Sequence, residues 1–558
     1  MAKTFIFAIG GTGSRVLRSL TMLMASGVKG MTEDICPIII DYDLHNGDKD
    51  RAITCMKKYS EIQSLVENGD GAKLEDSNNN GYRPYFSTKI GQLNGITNWS
   101  WQFNLTKEEE SLKYSNYINY DKIDLYTPTS QDFVNCLYDS NINSVYAELN
   151  LNMKEGFQGN PNIGSVVFNG LKGCPEFNAF SNSFRAGDRI VVIGSIFGGT
   201  GSSGIPKIVS AIRNHSRVDI QNASLSVVLV LPYFAVNSSD DKEISIKSNI
   251  FNSKTKAALN YYERSGLNAQ INSIYYVGDK VQTKVEPHLG NKEQKNNAHI
   301  VELIGAMSVA HFITSAQNGN QRLKYKFNAA NDIVDGIGIH ELIGESNSWA
   351  QNEFVTSILH NLINFVLSVH YFLDNIVCSQ KRMDQRQFYK ELKLNFDDKK
   401  IKSSDNASPI QDYCAALYDF ICKNKKENVN DDDGFWPWME ELHNKKSHGT
   451  HCLKIFNLDM GNIVDFLSEF NFRSEPKKAK IPFAGEVEIA PAKPLMEYSD
   501  QFDSSLNNTL VPYRKGQKQL QEESKEAYPY IFNDILTKMP EEVRKFDSRL
   551  EERFKMVP

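Results

Sequence analysis

The chain carries no excess of positive charge: 62 lysines and arginines stand against 68 aspartates and glutamates, for a net charge of −6. That balance offers no electrostatic footprint for nucleic acid and no basic patch for an anionic membrane. Its 8 cysteines include no C-x-x-C pair, and they read as scattered, reduced core thiols of a cytoplasmic protein. No export signal is expected from residues 1–10. The short apolar run in 1–10 is broken by Gly10 before an h-region of useful length. Long hydrophobic runs are scarce. The segment 354–373 lacks Lys, Arg, Asp and Glu over about the length of a membrane span. His360, Asn361, Asn364 and His370 lie along it, and each would be costly in hydrocarbon. A buried or half-buried helix is expected there, and no membrane span. No internal repeat is visible.

What is present is globular: 41% hydrophobic and 23% charged residues. A chain of 558 residues can hold more than one core at roughly 100–200 residues per domain. Residues 3–9, rich in Phe and Ile, read as a buried strand. The turn Gly10-Gly11-Thr12-Gly13-Ser14 follows, and then Val16, Leu20, Leu23 and Met24 recur at helical spacing before Gly27. A second strand, 37–40, ends in Asp41-Tyr42-Asp43. This β-turn-α-β opening implies a parallel sheet with a right-handed crossover. Residues 46–155 are polar and rich in Asn and Tyr, and they read as an elaboration on the sheet domain. Regularity returns with a strand at 189–193 and a second turn, Gly198-Gly199-Thr200-Gly201-Ser202-Ser203-Gly204. Ile205, Ile208, Val209 and Ile212 then make one helical face. Strands are expected at 225–231 and 271–277, and helices at 248–264 and 297–316. A second domain is placed from about 318 onward, where the glycine-turn pattern does not recur.

A glycine turn between a buried strand and a helix is suited to phosphate. Glycine lets backbone N–H groups approach the anion, and the helix N-terminus adds partial positive charge. Small hydroxyls at Ser14, Thr200, Ser202 and Ser203 can donate as well. Neither turn is a P-loop, because no lysine follows at the G-x-x-x-x-G-K-[ST] spacing. The first turn is also an imperfect dinucleotide fingerprint. Val16 stands where the third glycine belongs, although Asp41 fits the ribose position. A hydrolase elbow and a zincin are both excluded, since neither turn reads G-x-S-x-G and Gly344 replaces the second His after His340-Glu341. His443, His448, His451 and Cys452 match no standard zinc spacing and read as a surface loop.

The second turn, Gly198 to Gly204, closely resembles the tubulin/FtsZ signature G-G-G-T-G-[ST]-G. The other elements follow in the order of that family. Gly10–Ser14 looks like its first phosphate loop. Gly159-Asn160-Pro161-Asn162-Ile163-Gly164 is similar to G-x-N-P-x-x-G, the loop facing the γ-phosphate, and Pro232-Tyr233 is similar to its Pro-aromatic strand end. The resemblance covers roughly residues 1–317, with 46–155 outside it. It implies a Rossmann-like, doubly wound α/β nucleotide domain, a long central helix (297–317) and a C-terminal α+β domain (318–558).

By that resemblance the ligand is GTP or GDP with Mg²⁺. Gly10, Gly11, Thr12, Gly13, Ser14, Gly198, Gly199, Thr200, Gly201 and Ser202 would cradle the phosphates, with Gly159 and Asn160 at the γ-phosphate. Asn297, with His299, would read the base, and Asp41 or Asp43 would meet the nucleotide or its Mg²⁺. Family hydrolysis uses an acidic loop after the central helix, inserted into the next subunit of a head-to-tail filament. Here 318–327 holds no acid. Asp332 and Asp335, in Asn331-Asp332-Ile333-Val334-Asp335, are the candidate trans-acting acids. Two other readings stay open. One is a non-polymerising, nucleotide-controlled module that binds protein partners through its C-terminal half, as in a stress or defence system. The other is an NAD- or FAD-dependent oxidoreductase.

Overall fold

The structure is a computed structural model. It describes most of residues 2–315, interrupted chiefly at 68–84, 102–112, 139–147 and 237–250, with scattered positions between 358 and 442 and a ribbon at 478–488. Strand β1 (Lys3–Ile9) runs into helix α1 (Gly10–Ala25), returns as β2 (Asp34–Ile40), and continues through α2 (Gly47–Glu67) to the short β3 (Ser100–Trp101). Four short helices follow: α3 (Tyr114–Tyr117), α4 (Ser130–Leu137), α5 (Pro161–Val167) and α6 (Pro175–Ser183). Then come β4 (Arg189–Ser195), α7 (Gly199–Arg213), α8 (Val218–Gln221), β5 (Ser224–Val230) and β6 (Phe234–Val236). The chain continues through α9 (Phe251–Arg264), β7 (Ser273–Val277), β8 (Thr283–Val285) and α10 (Ile300–Thr314), and β9 (Lys478–Ile481) pairs with β10 (Gly485–Glu488).

The main sheet has six strands in the order β3-β2-β1-β4-β5-β7, all parallel. Parallel strands are covered by helices on both faces, so they read as continuous apolar runs rather than as alternation. In β1, Phe5, Phe7 and Ile9 point to one face, where Phe180 of α6 stacks edge-on at 5.2 Å from Phe5 and 5.1 Å from Phe7. Thr4, Ile6 and Ala8 point to the other, and all six side chains are fully buried. Burying one such large side chain stabilises by roughly 1.5–3 kcal/mol. Helix α1 covers that second face. A Cβ on Gly13 would lie 2.7 Å from the Ala8 carbonyl carbon, so only glycine allows α1 to rest directly on β1 and β4. Helix α10 is buried almost all round, as expected of an apolar helix enclosed in a core. A Cβ on its Gly305 would come within 3.2 Å of Val16, which fixes its close crossing with α1.

The region 46–155 does more than elaborate. It supplies the long helix α2 and the edge strand β3 of the main sheet. Ala52, Cys55, Met56, Tyr59 and Ile62 of α2 are buried at helical spacing, a stripe masked in the sequence by the charges between them. Scattered later residues close the outer side of α1 and α2. Phe420 packs on Tyr59 and Phe86, Phe365 packs on Tyr85 at 4.9 Å, and Trp438 donates from Nε1 to Ser19 Oγ at 3.3 Å. Among the described residues no helix is long and apolar enough to cross a membrane. Most of 354–373 and the His/Cys stretch 443–452 lie outside the described residues.

Candidate functional site

The chain steps outward from β1 to β2 and β3 on one side, and from β4 to β5 and β7 on the other. The reversal falls between β1 and β4, and in open parallel sheets the ligand crevice lies outside the strand carboxyl ends at that switch point. Both glycine turns sit there, one after Ile9 and one after Ser195. Each opens a helix, α1 with Ile9 as N-cap and α7 with Gly198. Neither has a side-chain cap or an acid in its first turn. The first N–H groups of a helix have no partner within it, so two uncapped N-termini face one crevice and present donors and partial positive charge to an anion.

The two turns touch. Gly10 has φ of +69°, and a Cβ on it would lie 3.4 Å from Thr200 Cβ. The loop 156–160 closes the third side: a Cβ on Gly199 would fall 2.9 Å from both Asn160 N and Phe157 Cβ. Gly156 brings the same loop to Asp43, its added Cβ lying 3.8 Å from Asp43 Cβ. Gly11, Thr12, Gly198, Thr200, Gly159 and Asn160 are half-buried, while Gly10, Gly13, Ser14, Gly199, Gly201 and Ser202 are buried. The serines are turned inward. Ser14 Oγ donates to Gly10 O at 3.3 Å, Ser202 Oγ donates to Gly198 O, and Ser203 Oγ donates to Gly199 O at 2.7 Å. The threonines and the backbone amides are left to meet a ligand.

At the end of β2, Asp41 and Asp43 are both buried. Asp41 Oδ1 accepts from Asp43 N at 3.1 Å, while its Oδ2 is buried without a hydrogen-bond partner. Burial pushes the Asp41 carboxyl up to about 7; the charge of Lys49 pulls it down and that of Asp43 pushes it further up. Lys49 Nζ donates to Asp43 O at 2.7 Å. Ile40 pairs with Ile9, so this orphaned carboxylate oxygen stands at the end of β2 beside the first turn, where it suits a ribose hydroxyl or a hydrated cation. Among the described residues no group of three or more His, Cys, Asp or Glu could hold a metal by itself.

Beside the crevice lies a buried charged network that the sequence reading did not find. Arg15, directly after Ser14, places Nε 2.8 Å from Glu302 Oε1 and Nη1 3.3 Å from Asp48 Oδ2, and it donates through Nη2 to Tyr233 Oη. Tyr233 Oη donates onward to Glu302 Oε1 at 2.8 Å. Burial raises the Glu302 carboxyl, and the Arg15 charge opposes that shift. Glu302 also accepts from His299 N at 3.0 Å, while His299 Nδ1 accepts from Val301 N at 3.1 Å, forming a capping box. The helix therefore starts at Ile300, with His299 as its cap and Tyr233 packed on the His299 ring at 4.8 Å. Asn297, expected at the start of this helix, lies before it and is exposed. The signal for the network was a pair of arginines, Arg15 and Arg18, inside the largely buried α1, and a lone acid in the apolar α10.

Glu441, far along the chain, joins the same region. Its Oε1 lies 2.8 Å from Arg51 Nη2, and its Oε2 lies 3.3 Å from Arg18 Nη1 and accepts from Ala298 N at 2.8 Å. Asp332 and Asp335 lie outside the described residues.

No family model matches the chain, and no curated protein matches it. Among solved structures it is similar to CetZ from Methanosaeta thermophila strain DSM 6194, at 12% identity and a TM-score of 0.26, over 57% of this chain. The chain spans 56% of that protein's length. Likeness at that level assigns neither a fold family nor a function.

Proposed function

We propose that the crevice between the two glycine turns binds a guanine nucleotide, and that the chain is a tubulin/FtsZ-like protein whose nucleotide state governs head-to-tail self-association. The observation that carries this reading is the contact of three loops, with Gly10 against Thr200 and Gly199 against Asn160, at the mouth of two uncapped helices. In it, the amides of Gly11, Thr12, Gly13, Gly199, Thr200 and Gly201 hold the α- and β-phosphates. Gly159 and Asn160 meet the γ-phosphate. Mg²⁺, when bound, would neutralise phosphate charge, and Asp41 would supply the nearby carboxylate. Residues 1–317 then form the nucleotide domain, and 318–558 form a C-terminal α+β domain that offers surfaces to partners. Asp332 and Asp335 act in trans as the hydrolytic acids.

Sedimentation with Mg²⁺ and GTP, GDP or ATP in parallel tests the reading. GTP-selective pelleting that is lost in Thr200→Ala is expected. If neither guanine nucleotide binds, the reading is wrong. GTP binding without pelleting would favour the non-polymerising, nucleotide-controlled module, which the contacts of Trp438 and Glu441 on α1 and the entry to α10 support. Asp41 also occupies the ribose position of a dinucleotide fold, so NAD and FAD belong in the binding series. Binding of NAD in place of GTP would move the assignment to an oxidoreductase.

A further inference from the structure

We infer that Lys254 is the side chain that distinguishes a nucleoside triphosphate from a diphosphate in this crevice, by presenting its ammonium group to the terminal phosphate. The inference rests on the nucleotide reading above. The three loops at the crevice contain no basic residue in 10–14, 156–160 or 198–204. Their serine hydroxyls are spent on carbonyls of their own helices. Amides and two threonines can hold two phosphates against helix N-termini, but a third phosphate adds charge at the outer edge, where the helix field fades within a turn.

The structure brings a cation to that edge. Phe251, which opens α9, packs against Phe197 at 5.0 Å and Phe234 at 5.8 Å, and so anchors the helix beside the second glycine turn. One turn further on, Lys254 is half-buried, and its Nζ donates to Gly159 O at 2.5 Å. Gly159 has φ of +79°, and a Cβ there would lie 3.3 Å from the ammonium. The same loop abuts Gly199 through Gly159 N and Asn160 N, so the ammonium stands one residue from the phosphate turn. An ammonium has three donors, and Gly159 takes one of them. Burial lowers the Lys254 pKa, and the negative charge of Glu148 opposes that loss of charge. A triphosphate offers the remaining donors a terminal oxygen. A diphosphate ends short of them, and the lysine then serves only to pin the loop.

The test is titration of the full chain with Mg²⁺ and either GDP or a non-hydrolysable GTP analogue, for the wild type, Lys254→Met and Lys254→Arg. Methionine keeps most of the stem and removes the charge. The expected result is about a tenfold loss for the triphosphate analogue in Lys254→Met, equivalent to about 1.4 kcal/mol, with GDP affinity within about twofold and partial recovery in Lys254→Arg. Equal loss for both nucleotides assigns the residue to loop pinning and overturns the inference, as does no loss for either. The wild type separates the two levels: if it binds neither guanine nucleotide, the nucleotide reading fails and the inference falls with it. If it binds both, only the variants decide.

Discussion

Replacing Asp41 with asparagine keeps the shape of a buried side chain and removes a charge that the ligand-free fold holds at a cost. An ordinary aspartate titrates near ~3.9, whereas burial raises Asp41 to about 7. An acid whose folded value lies above its unfolded value takes up a proton on folding between the two. Its contribution to stability therefore falls as pH rises from about 4 to about 7, and the full cost is present above 7. At about 1.36 kcal/mol per pH unit the interval amounts to roughly 4 kcal/mol, and relaxation in a real interior brings it to roughly 2–4 kcal/mol. The unpaired Oδ2 is the local reason for that cost. Without ligand, Asp41→Asn melts higher than the wild type at pH 8, by about 2–4 °C per kcal/mol. The gap narrows below pH 7 and closes near pH 4. If Asp41 serves the proposed nucleotide, the nucleotide affinity of the variant falls in the same preparation. Calorimetric melting from pH 4.5 to 8 measures the gap. A difference that stays flat with pH, or a less stable variant at pH 8, would refute the assignment of the strain to a buried, ionised Asp41.

Gly199→Ala drives a methyl group to 2.9 Å from Asn160 N and Phe157 Cβ; the loops separate, and nucleotide affinity drops at least about tenfold by equilibrium titration, with about 1–3 kcal/mol of stability lost to overpacking. Glu441→Ala strips a carboxylate shared by the buried Arg18 and Arg51 and costs about 3 kcal/mol in urea unfolding, with faster proteolysis as a second readout. Tyr233→Phe removes the hydroxyl between Arg15 and Glu302 and costs about 1–2 kcal/mol in the same assay. If Asp335 acts in trans, Asp335→Ala abolishes GTP turnover per protomer and leaves binding intact; unchanged turnover removes that role.

The sheet and its two glycine turns were legible because each has a local signature: unbroken apolar runs for strands buried on both faces, and glycines where backbone must meet backbone. Gly13 over Ala8 and Gly199 against Asn160 are such contacts. Helix α2 was not legible, because Lys57 and Lys58 and the acids around them hide the stripe of Cys55, Met56, Tyr59 and Ile62. Strand β3 has only two residues and no period to read. The start of α10, expected at 297, falls at Ile300 because the reciprocal bonds of His299 and Glu302 cap the helix there. The network of Arg15, Asp48, Tyr233 and Glu302 could not be read, because its partners come from three helices and the loop between β5 and β6 and meet only after the sheet has formed.

The position of Glu441 bears on the order in which the molecule can be made. Arg18 and Arg51 are nine-tenths buried in the first strand-helix units, yet a carboxylate bonded to both arrives only after about four-fifths of the chain has left the ribosome. Until then the nascent N-terminal part holds two guanidinium groups in an incomplete electrostatic cage. Its α1–α2–α10 layer stays looser than in the finished protein. Maturation of the crevice between the two glycine turns is thus timed by synthesis of the C-terminal half, and a fragment ending before residue 441 would be expected to depend on chaperones to hold its shape.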